Sequence, residues 1–342
     1  MLDRVREVFA REEAWIVGGA IRDEALGRPV VDVDVVCRDP HRFAAAYQRH
    51  SGGAVFPLSD RHGAWRVAVD RRRTVDFTPL QGSLKRDLAT RDFTINAIAA
   101  PVAGGDWIDP FRGAGDLAAG LVRAVSDRIF ADDPLRLLRA VRLEDELDFR
   151  LEARTERLVR THRLLVTEPA GERILAELLR LSPRGFVRLD DLGLLAPLGG
   201  SLARIDRVSG EPPGGLLLVA VLGRELERLP ISNELRRLGR TLLSARPPSD
   251  LSPRQVHRFR RATEPFALEA ARFVGGGGAL RKAILLARAE EPKEPLVRGD
   301  ELGLPPGPEI GRLLGLIEEE RAAGAITTRE EALELARRQA AP

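Results

Sequence analysis

The sequence predicts an α+β protein, with a mixed-sheet head at the N-terminus and an elongated, all-helical remainder. Three observations carry this expectation. Up to about residue 122, apolar runs of strand length alternate with amphipathic stretches. From about residue 130 apolar residues recur at helical intervals, as in Leu135, Leu138 and Val141 and then Leu151, Leu158 and Leu164. Breaks fall on Glu168-Pro169, Pro197 to Gly200, Glu211 to Gly215 and Arg246 to Pro253. A chain of 342 residues has room for two or more domains, and an apolar content of 44% excludes a disordered one.

Taken in order, a helix is expected over 3–11 and a strand over 14–17. Trp15-Ile16-Val17 suits a short buried strand, and Gly18-Gly19 can turn the backbone tightly and leave amides facing a ligand. The next helix, 20–26, opens where free N–H groups and the helix dipole favour phosphate. The expected strand 30–36 alternates around Asp32 and Asp34. Residues two apart on a strand share a face, so both carboxylates point the same way. Such a pair is repulsive unless a hard cation sits between the groups, and Mg²⁺ takes oxygen ligands together with substrate phosphates. Gly18, Gly19, Arg22, Asp23, Asp32 and Asp34 therefore describe a nucleoside triphosphate on a glycine turn beside a magnesium-binding carboxylate pair.

A helix over 40–49 follows, then strands over 64–69 and 73–77, a helix over 92–100 and a strand over 106–108. Asp76 on the 73–77 run is a candidate third carboxylate, which would allow two metals to be held. Arg91 can reach a phosphate or ribose, Asp92 can cap a helix start, and Asn96 offers both donor and acceptor to a sugar hydroxyl. Farther on, Asp132 or Asp133 is expected to cap a helix with Pro134 in its first turn. Asp133 and Arg136, three apart, are then expected on one face.

Composition narrows the function classes. No apolar run approaches the ~20 residues of a membrane helix, and Met1 to Arg6 shows no signal-peptide core, so a cytoplasmic protein with no membrane partner is expected. The single Cys37 excludes an internal disulfide and a cysteine metal cage. Net charge is only +3, but residues 224–288 hold 14 basic and 6 acidic side chains. That local excess suits a nucleic-acid backbone. Aromatic residues make up 5%, which favours phosphate contact over base stacking.

Gly18-Gly19-x-x-Arg22-Asp23 with Asp32-x-Asp34 resembles the signature of class II tRNA nucleotidyltransferases and bacterial poly(A) polymerases, members of the DNA polymerase beta nucleotidyltransferase superfamily. Arg86 to Ile98 is similar to that family's second motif over its whole length, with Thr90 where arginine is common. Asp109-Pro110-Phe111-x-Gly113-x-x-Asp116-Leu117 matches the third motif, a hinge. Ala131 to Arg142 matches the motif that selects CTP and ATP without a nucleic-acid template, and Glu172-Arg173-Ile174-x-x-Glu177-Leu178 matches the fifth, a brace. In the fourth motif a carboxylate accepts from an exocyclic amine and a guanidinium donates to a ring acceptor, a pairing that cytosine and adenine satisfy and uracil and guanine invert.

The resemblance implies catalytic Asp32, Asp34 and Asp76, with Mg²⁺ on Asp32 and Asp34. It implies nucleotide binding by Gly18, Gly19, Arg22, Asp23, Arg91, Asp92, Asn96, Asp133, Arg136 and Arg139. It also implies a catalytic head over 1–122, a base-reading neck over 123–180, a tRNA-binding body over 181–288 and a tRNA-binding tail over 296–342. The partners would be tRNA and CTP, with ATP for full CCA addition. Fourteen residues lie between Asp76 and Arg91, where many members carry a longer lever that resets base reading from CTP to ATP. The expectation is therefore CC addition, with full CCA addition as the alternative. A poly(A) polymerase ranks lower because no basic extension for generic RNA is present, and an inactive tRNA-binding relative need not keep Asp32, Asp34 and Arg136.

Overall fold

The computed structural model describes residues 1–59 and 63–340. The last two residues of the expected tail lie outside the described residues. Six strands form one sheet: β1 Ala14–Val17, β2 Asp32–Cys37, β3 Ala54–Ser59, β4 Ala64–Ala68, β5 Thr74–Pro79 and β6 Ala99–Pro101. Their order is β3-β4-β5-β2-β1-β6, with β2 and β5 parallel and the other pairs antiparallel. The predicted alternation of β2 is realised. Val33, Val35 and Cys37 enter the main core, while Val36, of the same parity as Asp32 and Asp34, packs on the opposite face in a smaller cluster with Val17, Leu88, Ala97 and Ala99.

Helix α1 Leu2–Phe9 buries Leu2, Val5 and Phe9 on one stripe, and α3 Pro40–Ser51 buries Phe43, Ala44 and Tyr47. With Phe77 of β5 these form an aromatic core in which the Phe9 and Phe43 rings stack at 4.6 Å. Cys37 is buried there, and burial pushes its thiol up to about 12, so it is an inert packing residue. Between these helices lies α2 Gly19–Ala25.

Several local expectations are corrected. Strand β3 lies outside the expected elements: it contains Pro57, after which its register on β4 shifts, and its Val55, Phe56 and Leu58 are exposed, so it carries no buried alternation. Helix α4 Leu84–Ala89 was also missed. The expected helix 92–100 is a 3₁₀ turn, Thr94–Asn96, running into β6. Phe93 to Ala100 are buried without a break, so the run inserts into the head with no solvent face for a helix to show. The expected strand 106–108 reduces to one bridge between Ile108 and Ala99.

The remaining helices of the first unit are α5 Gly113–Ala118, α6 Ile129–Asp132, α7 Arg136–Leu147, α8 Ala153–His162, α9 Gly171–Leu178 and α10 Pro183–Asp191. Strands β7 Leu121–Val122 and β8 Arg150–Leu151 pair in parallel. Leu137, Leu138, Val141 and Leu143 form the buried face of α7. Leu151 lies on β8 rather than a helix, and Leu164 is exposed. The chain divides into two compact units, 1–198 and 199–342. The second unit is helical. Its α12 Gly215–Leu222 follows α11 Ile205–Val208 and is apolar all round, so it is buried as a core helix. Around it in the chain come α13 Asn233–Ser244, α14 Pro253–Thr263, α15 Ala267–Phe273, α16 Gly277–Ala289, α17 Pro308–Ala322 and α18 Arg329–Gln339. Among the described residues no helix is long and apolar enough to cross a membrane.

Candidate active site

One cleft of about 580 Å³ in the first unit is lined by Gly18, Gly19, Arg22, Asp23, Asp32, Asp34, Arg91, Asp92, Asn96, Asp133, Arg136 and Arg139. These are all the residues singled out in the sequence except Asp76. They come from the turn after β1, from α2, β2, the segment after α4, the link between α6 and α7, and the start of α7, so the sheet and the helices beyond it build the site together.

Gly18 ends β1 with φ 78 and ψ −144, a conformation essentially closed to residues with a Cβ. A Cβ there would lie 2.7 Å from Arg91 Nη1 and 3.1 Å from Asp34 Oδ2. The glycine thus lets a guanidinium and a carboxylate close over the turn. Its own amide is not aimed at a ligand as expected; it donates to the Ile98 carbonyl at 3.4 Å. The amides left for an anion are those opening α2, which have no carbonyl within the helix to meet.

Asp32 and Asp34 share the cleft face of β2. Thr74 Oγ1 donates to Asp32 at 2.8 Å. Asp34 keeps 45% of its side-chain surface exposed to the cleft, yet the cleft walls displace much of the bulk solvent around it. That desolvation pushes its carboxyl above the usual range; Arg91 opposes the rise and the charges of Asp76 and Asp32 add to it. Asp76 stands beside Asp34 in the β2–β5 register, and both its oxygens are taken by Arg66 of β4 at 2.6 and 2.7 Å. Among the described residues no group of three or more acidic, His or Cys side chains forms a metal cage. The donor set fits a divalent cation nonetheless. Two hard oxygen donors on one strand face, one with its charge disfavoured by its surroundings, suit an ion whose other ligands are substrate phosphates and water.

Arg22 is held from two sides. Its Nε donates to Asp23 at 2.9 Å and its Nη1 to Asn96 Oδ1 at 2.7 Å. The other end of Asn96, Nδ2, donates to Asp92 at 3.0 Å. Asp92 also accepts from Phe93 N at 2.8 Å and from Arg139 at 2.6 Å, so it does not cap a helix. Burial alone would raise the Asp92 carboxyl; Arg139, Asn96 and the Phe93 amide overcome it and hold it below the usual range. Arg91 lies 3.8 Å from both Asp34 and Asp87, contacts longer than a hydrogen bond.

The expected cap at Asp133 is also corrected. Asp132 ends α6, Arg136 begins α7, and Asp133 sits between them in extended backbone. Its carboxylate accepts from Leu135 N at 3.2 Å and, through both oxygens, from Arg173 at 2.8 and 3.3 Å. Arg136 does not pair with it; its Nη2 donates to the Thr90 carbonyl at 2.6 Å, at the C-terminal end of α4. Both line the same cleft, side by side and separately anchored. Sequence reasoning missed Arg173, Arg180 and Asp87 as cleft residues. The available signal was the Glu172-Arg173 motif, read only as a brace.

Residues 14–123 match the family model of the poly A polymerase head domain. The chain is 32% identical to the CC-adding tRNA nucleotidyltransferase of Thermus thermophilus, a match covering 95% of this chain and 93% of that one. The chain belongs to the CCA-adding tRNA nucleotidyltransferase family. Within this family it is also 45% identical to the CC-adding enzyme of Geobacter sulfurreducens over 49% of this chain, spanning 40% of that relative's length. It is 37% identical to the A-adding enzyme of Deinococcus radiodurans over 70% of this chain and 54% of that relative. The fold matches that of the Thermotoga maritima CCA-adding enzyme complexed with tRNA, with a TM-score of 0.76 and 24% identity over 98% of this chain and 94% of that one. Members of this nucleotidyltransferase family generally use a divalent metal, in keeping with the carboxylate pair.

Proposed function

We propose that the chain transfers CMP from CTP to the 3′ end of tRNA and stops after two additions. The observation that carries the transferase reading is the cleft, which places the glycine turn, the Asp32–Asp34 pair and the Asp133–Arg136 pair around one nucleotide-sized volume. Mg²⁺ would sit on Asp32 and Asp34, and when bound it neutralises phosphate charge and favours the ionised hydroxyl. The tRNA 3′-hydroxyl gives up its proton to solvent, its oxygen bonds to the α-phosphorus, and the α–β bridging oxygen leaves with pyrophosphate.

The chain's own residues position this reaction. Arg22 and Arg91 face the triphosphate. Asp92 and Asn96 act from behind, locking Arg139 and Arg22 in place. Asp76 adds negative charge beside Asp34 and would be freed for direct duty if Arg66 swung away. Asp133 accepts from the cytosine amine and Arg136 donates to its ring acceptor. Uracil would leave these groups facing like partners, at ~1–3 kcal/mol for each unpaired buried group.

The limit to CC rests on segment 77–90. It is short and ordered: β5 runs to Pro79, Ser83 caps α4 by accepting from Arg86 N at 3.3 Å, and the segment ends at Thr90, whose carbonyl takes Arg136. A reading arginine tied to so short a segment has little means of being re-aimed for ATP. Binding of tRNA is assigned to the second unit. The basic excess of 224–288 is partly spent there: Arg254, Arg258 and Arg261 pair with Glu318 to Glu320 of α17. Arg224, Arg236, Arg240 and Arg246 line a recess of about 440 Å³ in which, among the described residues, Glu227 is the only carboxylate, paired with Arg240 at 3.3 Å. The deciding assay is primer extension of a tRNA lacking CCA with CTP and ATP together. A product stopping at two added cytidines is expected, and one ending in A would overturn the CC limit.

A further inference from the structure

Helix α9 carries Arg173 and Glu177 one turn apart; Arg173 lines the cleft, and Glu177 lies behind it against two arginines of α7. Glu177 Oε2 accepts from Arg142 Nε at 2.5 Å, with Oε1 3.8 Å from Arg139, and is buried, as a brace should be. Arg173 is different. Its side chain is 51% exposed and its forked contact goes to Asp133 alone. Exposed ion pairs add little to stability, so the fold gains little from this contact.

Asp133 has reason to need it. It lies outside α7 with φ −147 and ψ 99, so no helical turn orients its side chain. Among the described residues only the Leu135 amide and Arg173 hold the carboxylate. An ionised carboxylate offers roughly four acceptor sites and no donor. Three engaged sites leave capacity for one further donor, which is what an exocyclic amine supplies. A carboxylate free to rotate would both lose that amine and stop penalising a carbonyl at the same place.

We propose that Arg173 is a positioning residue for base choice: it aims Asp133 so that CTP is accepted and UTP refused. This rests on the transferase reading given above. The test uses the full chain and a tRNA lacking CCA, with kcat/KM measured separately for CTP and UTP in wild type, Arg173→Gln, Asp133→Ala and the double variant. The CTP-over-UTP preference should fall about 10- to 100-fold in Arg173→Gln, the range of one mispaired buried polar group. The melting temperature should stay near that of wild type. In the Asp133→Ala background the Arg173 change should have no further effect on preference. Equal loss for both nucleotides, an unchanged ratio, or additive effects in the double variant would overturn the proposal. If Arg173→Gln does not fold, Arg173→Lys is read by the same ratio, since a point charge cannot reproduce the fork. A wild type that incorporates no CMP would remove the transferase reading itself. A CTP-selective wild type whose selectivity survives Arg173→Gln would remove only this inference.

Discussion

Replacing Gly18 by alanine separates backbone strain from crowding of the site. At φ 78 and ψ −144 an alanine is strained by about 1–3 kcal/mol. In a unit of this size that is a fall in Tm of roughly 2–4 °C per kcal/mol. The new Cβ also meets Arg91 Nη1 at 2.7 Å and Asp34 Oδ2 at 3.1 Å. The guanidinium is the far end of a flexible chain and moves aside, whereas Asp34 is a β2 residue and must give by a few tenths of an ångström. Misplacing groups that position a reaction costs roughly 100-fold per ångström, so a shift of a few tenths of an ångström should lower kcat/KM for CTP by roughly 3- to 10-fold. Gly52 supplies the control. It caps α3 at φ 72 and ψ 6, and a Cβ there meets nothing within 4 Å. Gly52→Ala should lose a comparable amount of stability, about 1–2 kcal/mol, with activity retained. Melting curves and CMP incorporation on both variants decide the matter. Equal activity in the two would refute the argument that Gly18 exists to let Arg91 and Asp34 approach.

Other perturbations follow from the same geometry. Because the Asp34 carboxyl is pushed above the usual range, chiefly by desolvation, its ionised form works against folding at neutral pH. Asp34→Asn should therefore leave Tm equal or higher while abolishing transfer, and the Tm rise that MgCl₂ gives wild type should vanish; a rise persisting in Asp32→Asn with Asp34→Asn would count against the metal placement. Asp92 has the opposite sign. Held low by Arg139 and Asn96, it contributes stability that is complete above the ordinary aspartate range and is lost as pH falls through its folded value. Asp92→Asn should cost roughly 3 kcal/mol by stranding Arg139 and flatten the acid limb of a stability-versus-pH curve; a variant as stable as wild type at neutral pH would contradict this. Arg236→Ala with Arg240→Ala should weaken tRNA binding and flatten the slope of log Kd against log salt by about 2, and an unchanged slope would remove these residues from the RNA path.

The parts of the site legible in the sequence are those made by local geometry. Period-two alternation placed Asp32 and Asp34 on one face of β2, and a glycine pair between a strand and a helix announced the turn. The 92–100 segment misled because buried residues in sequence look alike whether they line a helix or an inserted loop. β3 was hidden because an exposed edge strand with a proline has no buried face to betray it.

What the sequence by itself determined is which side chains gather at one cleft: the Asp32–Asp34 carboxylates, the glycine turn, and Asp133 with Arg136. What only the tertiary structure decided is how each is held. Asp133 is paired with Arg173 of α9, forty residues on, and not with Arg136 three residues away. Asp76 is claimed by Arg66 because β4 lies antiparallel to β5 with these two residues in register. Spacing tells which side chains share a face, but in a chain so rich in arginine many cations could serve each carboxylate. Packing of strands and helices far apart in sequence selects among them.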